Sequence, residues 1–201
     1  MSPALALPLA LVAAYLVGSV DFAVIVARMH GVDIHEAGSG NPGTSNVLRT
    51  LGRVPAALVF IGDTLKGTVG AAMGMIASGV ADSTVHWAFL AGLAAVIGHC
   101  YPVFHGFKGG KGVATGGGVL LFTVPIAAVI EITTWGLVVW ATKTASIGSM
   151  VIVVITIPML IWQGVSGLSL LWVALIIALV VWRHRGNIRR MVSGSEDKIP
   201  T

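Results

Sequence analysis

From Thr144 to Trp182 the chain runs 39 residues without a single Asp, Glu, Lys or Arg. One helix needs about 20 apolar residues to cross a bilayer. The stretch therefore holds two spans, with Pro158 and Gln163–Gly167 marking the turn between them. Other runs follow the same pattern. Residues 3–27 are interrupted only by Asp21 and end at Arg28, and 54–80 carries Asp63 and Lys66 near its start. A third run extends from Thr84 to Pro102, and 113–142 is apolar except for Glu131. The first run is too long for a signal sequence, lacks a basic start and has no A-x-A site, so it reads as a retained span. Only 10% of the 201 residues are charged, against about 25% in soluble domains. That excludes an ordinary soluble enzyme, a disordered chain and a solenoid. The expected fold is an all-α integral membrane protein in one domain, 1–201, with 190–201 as a tail. Cys100 is the sole cysteine, so neither an intramolecular disulfide nor a cysteine metal cluster is available.

The segment 113–142 is either one long kinked span or two short ones turning at Pro125. With two crossings, all twelve Lys and Arg fall in, or at the ends next to, one set of loops; with one crossing, Lys143 moves to the opposite face. The positive-inside rule favours the first arrangement. The expectation is seven transmembrane helices, N-terminus outside and C-terminus cytoplasmic. The two disputed helices would be short for a bilayer, so local thinning or burial in the bundle is expected. The outside connections (Val80–Ser83, around Thr123–Pro125, Gln163–Gly167) carry one charge, Asp82. The net charge of +4 reflects a shortage of acids and basic span ends rather than nucleic-acid binding.

Four polar clusters gather on the inside face. Gly38-Ser39-Gly40-Asn41-Pro42-Gly43-Thr44-Ser45-Asn46, with Arg49 after it, is either a flexible linker or a nest of backbone N–H groups that binds anions. Phe107-Lys108-Gly109-Gly110-Lys111-Gly112-Val113-Ala114-Thr115 opens a helix, where glycines and the helix dipole favour a phosphate. It is not a Walker A loop, since Gly112 follows the lysine and an apolar helix precedes it. The alternative is a tight basic turn. Arg183–Arg190 reads as a basic anchor, except that His184 and Asn187 share one helical face and anchoring does not need them. Lys143–Ser146 alone is a polar turn. Within the spans, Asp63 and Lys66 sit three apart and could pair.

A soluble-type lipid acyltransferase uses His-x-x-x-x-Asp, and none of the six histidines has an Asp at that spacing. Gly-x-Ser-x-Gly is missing as well, as is zinc-ligand spacing. The acids are too few for a two-metal site. The ordered clusters nonetheless form a pattern. Gly38–Arg49, Asp63-Thr64-Leu65-Lys66-Gly67, Gly98-His99 through Thr115 and Arg183-His184-Arg185-x-Asn187-Ile188 run in the order and spacing of a known family. The chain resembles the bacterial membrane glycerol-3-phosphate acyltransferases that use acyl-phosphate as donor. Gly18-Ser19 before a basic span end also matches, and the resemblance covers essentially the whole chain. Two departures stand out: the family's Gly-Ala-Thr-Asn is here Gly43-Thr44-Ser45-Asn46, and Asp21 stands where Pro is common. Neither removes a charged ligand.

The resemblance implies an enzyme of the bacterial cytoplasmic membrane with its active site at the cytoplasmic face. It implies acyl transfer from a fatty acyl-phosphate to the 1-hydroxyl of sn-glycerol 3-phosphate, giving lysophosphatidic acid and phosphate, the first acylation of phospholipid synthesis. No metal or organic cofactor is implied. The implied partners are the two substrates, the bilayer and the soluble enzyme that makes acyl-phosphate. By the same carry-over, Gly109, Gly110, Lys111 and Gly112 form a phosphate hole. Arg49, Ser146, His184 and Asn187 join Lys111 in catalysis, and Ser39, Gly40, Asn41, Ser45, Asn46 and Val113 bind substrate. The family is thought to let a substrate phosphate accept the hydroxyl proton, with His184 as the competing base. A transporter or channel for a small phosphorylated solute is the rival class, but polarity is one-sided and no internal repeat is visible.

Overall fold

The structure is a computed structural model that describes residues 3–79 and 85–199. The predicted Val80–Ser83 connection and Asp82 lie outside the described residues. Ten α-helices follow in order: α1 (Pro3–Gly18), α2 (Phe22–Met29), α3 (Thr44–Leu51), α4 (Arg53–Ser78), α5 (Val85–Cys100), α6 (Val113–Thr123), α7 (Pro125–Thr142), α8 (Ala145–Trp162), α9 (Leu168–Arg183) and α10 (Arg185–Val192). A 3-10 turn, Val103–His105, lies between α5 and α6. Among the described residues there is no strand.

Five segments are long and apolar enough to cross a bilayer: Leu5–Met29, Arg53–Ser78, Val85–His105, Pro125–Thr142 and Ala145–Trp162. A sixth is the α9–α10 pair, bent by 56°. The expected seventh, α6, has 11 residues. At 1.5 Å per residue it is about 16 Å long, roughly half a hydrocarbon core. The outer surface is apolar, with Leu65, Trp140, Val154 and Trp162 exposed, while Asp63, Lys66 and His99 are buried. This distribution suits a lipid surround.

The first predicted span departs from the sequence reading. It is broken at Ser19–Asp21 rather than continuous. The Asp21 carboxylate caps α2 by accepting from Val24 N at 3.1 Å. The break frees the Val20 carbonyl, which Lys66 Nζ satisfies at 2.8 Å. Lys66 also pairs with Asp63 at 2.8 Å, as the spacing predicts, and His99 Nδ1 stands 3.6 Å from the same Asp63 oxygen. A backbone group freed in hydrocarbon needs an internal partner, and the intramembrane lysine supplies it.

Helix α4 packs against α1, α5 and α6. Its glycines allow close backbone approach: a methyl on Gly67 would strike the Thr115 carbonyl of α6. In return, a methyl on Gly118 of α6 would strike the Thr64 carbonyl of α4. One core cluster centres on Phe89, Val96, Val119 and Leu160. A second gathers Ala23, Val24, Ile34, Val47 and Val59, and seats the 34–47 segment against α2 and α4.

Candidate active site

Two loops converge beside the α5–α6 connection. In the first, 44–51 is helical (α3) rather than loop, so Asn46 and Arg49 ride on a helix. The Asn46 side chain is buried and fully engaged. Its Oδ1 accepts from Ser39 N at 2.8 Å, and its Nδ2 donates to Ala37 O at 2.9 Å and Ile34 O at 3.4 Å. Gly38 and Gly40 take positive φ, the conformation that favours glycine. Ser39 is exposed, while Asn41 and Ser45 are half-buried.

The second loop is clamped from outside. Arg183 donates from Nε to Gly110 O at 2.9 Å and from Nη2 to Gly109 O. Its guanidinium also lies 5.1 Å from the Tyr101 ring. Gly110 N donates to His99 O at 3.1 Å. A methyl on Gly110 would collide with the His99 ring and approach the Pro42 carbonyl, so the two loops touch there. Gly112, at φ 88°, turns the chain into Val113, the first residue of α6. Lys108 is exposed and Lys111 half-buried.

Lys111 Nζ donates to Asn187 Oδ1 across 76 residues of sequence. Asn187 Nδ2 donates to Glu196 Oε1, and Ser146 Oγ donates to the same oxygen at 2.7 Å. Arg190 Nε donates to Glu196 Oε2 at 2.8 Å. Arg49 reaches the same tail through its backbone, from Nε to Lys198 O and Nη2 to Asp197 O, both 3.1 Å. Lys111, Ser146 and Asn187 thus meet as one network, with Arg49 at its edge. Ser39 and Asn46 stay within their own loop.

His184 caps α9, is 3% exposed, and holds Val180 O through Nδ1 at 2.8 Å. A ring nitrogen facing a carbonyl must carry the proton, which leaves Nε2 with the lone pair. Burial pushes the Lys111 ammonium down to about 8; Glu196 opposes the shift, while Arg190, Arg49 and Arg183 reinforce it. Burial works against the Glu196 carboxylate, but bonds from Asn187 and Ser146 and the charge of Arg190 outweigh it. Its pKa stays below the usual glutamate value.

A partly open cavity runs inward from Gly112 and Val113 past Gly116, Gly117 and Ile176 to Glu131 and Thr156. Thr156 donates to Glu131, so the acid that looks isolated in sequence has a partner. Gly118 does not line this cavity, because it is taken up in packing against α4. Among the described residues, no cluster of three or more His, Cys, Asp or Glu is arranged to hold a metal ion.

Two residues of this arrangement were given no role by the sequence reading. Arg183 stands inside a family motif but reads as a membrane anchor, and Glu196 belongs to what reads as a plain tail. The one available signal is that Glu196 and Asp197 are the only acids after Glu131, set in an otherwise basic end.

A family model described as Glycerol-3-phosphate acyltransferase matches residues 8–194. The glycerol-3-phosphate acyltransferase of Pseudomonas syringae pv. syringae (strain B728a) is 41% identical over 184 residues, covering 91% of this chain and 93% of that one. The one from Halorhodospira halophila is 41% identical over 186 residues, covering 92% of each. Among solved structures, the crystal structure of PlsY, an integral membrane glycerol 3-phosphate acyltransferase in its glycerol 3-phosphate form, superposes with TM-score 0.90. It is 37% identical, over 97% of this chain and 96% of that one. The lysophosphatidic acid form gives TM-score 0.87 at 38% identity, over 96% and 94%.

Proposed function

The chain belongs to the glycerol-3-phosphate acyltransferase family and is a multi-pass membrane acyltransferase; on that premise we propose that it acylates the 1-hydroxyl of sn-glycerol 3-phosphate from a fatty acyl-phosphate. The products are 1-acyl-glycerol 3-phosphate and inorganic phosphate. The observation that carries this reading is the convergence of Lys111, Asn187 and Ser146 from three separate elements, beside a glycine loop at the mouth of an apolar cavity. Such a site suits a substrate with an anionic head and an aliphatic tail.

An acyl-phosphate is a mixed anhydride, so its leaving group is already good. The protein's task is to hold two anions together and align hydroxyl with carbonyl. The hydroxyl oxygen attacks the acyl carbon, and the bond from that carbon to the bridging phosphate oxygen breaks. The proton passes to a phosphate oxygen of the substrates. Lys111 and the loop N–H groups offset the charge of the donor phosphate and of the phosphate that departs. Arg49, at the α3 side, suits the phosphate of the acceptor. His184 acts by positioning rather than as the base, its Nδ1 being committed to Val180 O. Its Nε2 lone pair can instead receive the acceptor's hydroxyl hydrogen bond and orient it. The acyl tail fits the cavity along Gly116 and Gly117.

The topology proposed with it is a single domain of seven spans, with α6 and α7 sharing the 113–142 run and α6 alone short, against the expectation that both would be. The N-terminus is outside, the C-terminus cytoplasmic, and the site faces the cytoplasm of a bacterial cell membrane. The enzyme that makes the acyl-phosphate is the proposed soluble partner. The function test is purified protein given palmitoyl phosphate and glycerol 3-phosphate, following phosphate release and the lipid product. Equal formation of both, with no transfer from acyl-CoA, is expected. Transfer from acyl-CoA at a comparable rate would overturn the donor assignment. For topology, single cysteines at Ser45, Lys108 and Gln163 in a Cys100→Ala background are labelled in intact cells with an impermeant thiol reagent. Only Gln163→Cys should react.

A further inference from the structure

We infer that Glu196 is a positioning residue for acyl transfer: its carboxylate fixes the side chains of Asn187 and Ser146, and through Asn187 the ammonium of Lys111. The inference rests on the reading that Lys111 holds the donor phosphate. It turns the Glu196 side chain from part of a tail into part of the site.

The argument begins with hydrogen-bond polarity. A lysine ammonium only donates and an ionised carboxylate only accepts. Asn187 lies between one of each, at Lys111 and Glu196. Its two amide ends have nearly the same shape, so partners alone decide which end points where. Both neighbours are satisfied only with Oδ1 towards Lys111 and Nδ2 towards Glu196. Loss of the Glu196 charge removes that constraint. Ser146 is directed in the same way: with its hydroxyl hydrogen given to Glu196, it turns lone pairs towards the site. It can then accept a hydrogen bond from a substrate hydroxyl but cannot compete as a donor.

The carboxylate is held from both sides. Upstream, Ser195 N donates to Arg190 O at 2.8 Å. Downstream, Arg49 takes the Asp197 and Lys198 carbonyls, and Ile199 N donates to Lys143 O at 2.8 Å. The Glu196 side chain is 8% exposed. A tail used only as a solubilising end would need none of these ties. The charged and titratable groups facing Lys111 are Glu196, Arg190 and His184 from the C-terminal end, Arg183 of α9 and Arg49 of α3. Glu196 is the one acid among them, so its removal leaves Lys111 among cations.

The test compares Glu196→Gln, Glu196→Asp and Ser195→Ala with wild type in the full-length protein. Glu196→Gln should lower kcat about tenfold or more, because a misplaced catalytic group costs that much, with both KM values within about threefold. Its alkaline limb should move about one pH unit towards acid, because an opposite charge nearby has been lost. Glu196→Asp keeps the charge and should recover part of kcat and most of the limb, and Ser195→Ala should match wild type. Competitive amine labelling of Lys111 across pH reads the same linkage without turnover, and its midpoint should fall in Glu196→Gln. Wild-type kcat together with an unmoved Lys111 midpoint would overturn the inference. So would a lower KM for either substrate with kcat preserved or raised, since Glu196 would then be an anion plug that substrate displaces. If wild type releases no phosphate from acyl-phosphate, the reaction reading fails instead, and Lys111 labelling still decides the role of Glu196.

Discussion

The loops Gly38–Asn46 and Phe107–Gly112 use the same vocabulary of glycines and small polar groups, yet they are held in opposite ways. The first ties itself: one side chain, Asn46, closes it through Ser39, Ala37 and Ile34. The second is clamped by residues distant in sequence, Arg183 on its carbonyls and His99 beneath it. A loop that spends its own polar side chain on closure has less left for a ligand. A loop held from outside leaves its half-buried cation, Lys111, out of the closure. Asn46, which the motif points to as a substrate ligand, has its amide engaged in closing the loop.

The largest effect expected from this contrast is at Lys111. Lys111→Ala should lower kcat by about 10³-fold, the scale of a lost charge-stabilising group, with thermal stability unchanged. Lys111→Arg should also be poor, because a planar fork does not replace a point charge in a tight loop. If correctly inserted Lys111→Ala turns over near the wild-type rate, the second loop is only a turn. Arg183→Ala comes next. Hydrogen bonds to a charged group contribute about 1.5–3 kcal/mol, so a roughly 10–100-fold fall in kcat/KM for the donor is expected in steady-state assays.

Wild-type activity should then fall about tenfold per pH unit above about 8, where burial puts the Lys111 titration. The ammonium is charged below that value and lost above it, so the limb is alkaline. A rate that stays flat to pH 10 would show that the charge on Lys111 is not used. Asn46→Ala should act mainly on stability. Leaving buried partners unsatisfied costs about 1–3 kcal/mol, visible as a lower thermal midpoint, while folded protein keeps activity within about tenfold. Loss as deep as that of Lys111→Ala at full stability would erase the distinction between the loops. Lys108→Ala, on an exposed side chain, should stay within about twofold, as surface positions away from special features usually do.

Membrane character was legible because a 39-residue uncharged run has one physical outcome. The turn at Pro125 was legible too, since Pro fits the first position of a helix, and α7 begins there. The break at Ser19–Asp21 was not, because Lys66, which satisfies the freed carbonyl, lies 46 residues away. Helix α3 was hidden by its glycine- and hydroxyl-rich lead-in, which composition reads as loop. Lys111, Ser146 and Asn187 received roles through the family resemblance, while Arg183, though inside a motif, and Glu196 received none. Their partners are set by tertiary proximity: Gly110 is 73 residues from Arg183, and Ser146 is 50 from Glu196.

Helix α6 begins at the glycine loop and ends about 16 Å later. A hydrocarbon slab is about 30 Å thick, so the loop and the turn at Val124 cannot both reach unperturbed headgroups. In the proposed seven-span topology, either the leaflets dimple around the protein or the proposed reaction centre lies below the headgroup plane. Both place the glycine loop near the depth where a fatty chain ends and its polar head begins, so a donor dissolved in the leaflet need not be lifted out. Lipid thickness then becomes a variable of the reaction. Reconstituted in bilayers of increasing acyl length, the enzyme works against a growing mismatch, at fractions of a kcal/mol per ångström. Its rate becomes a gauge of the membrane it helps to build.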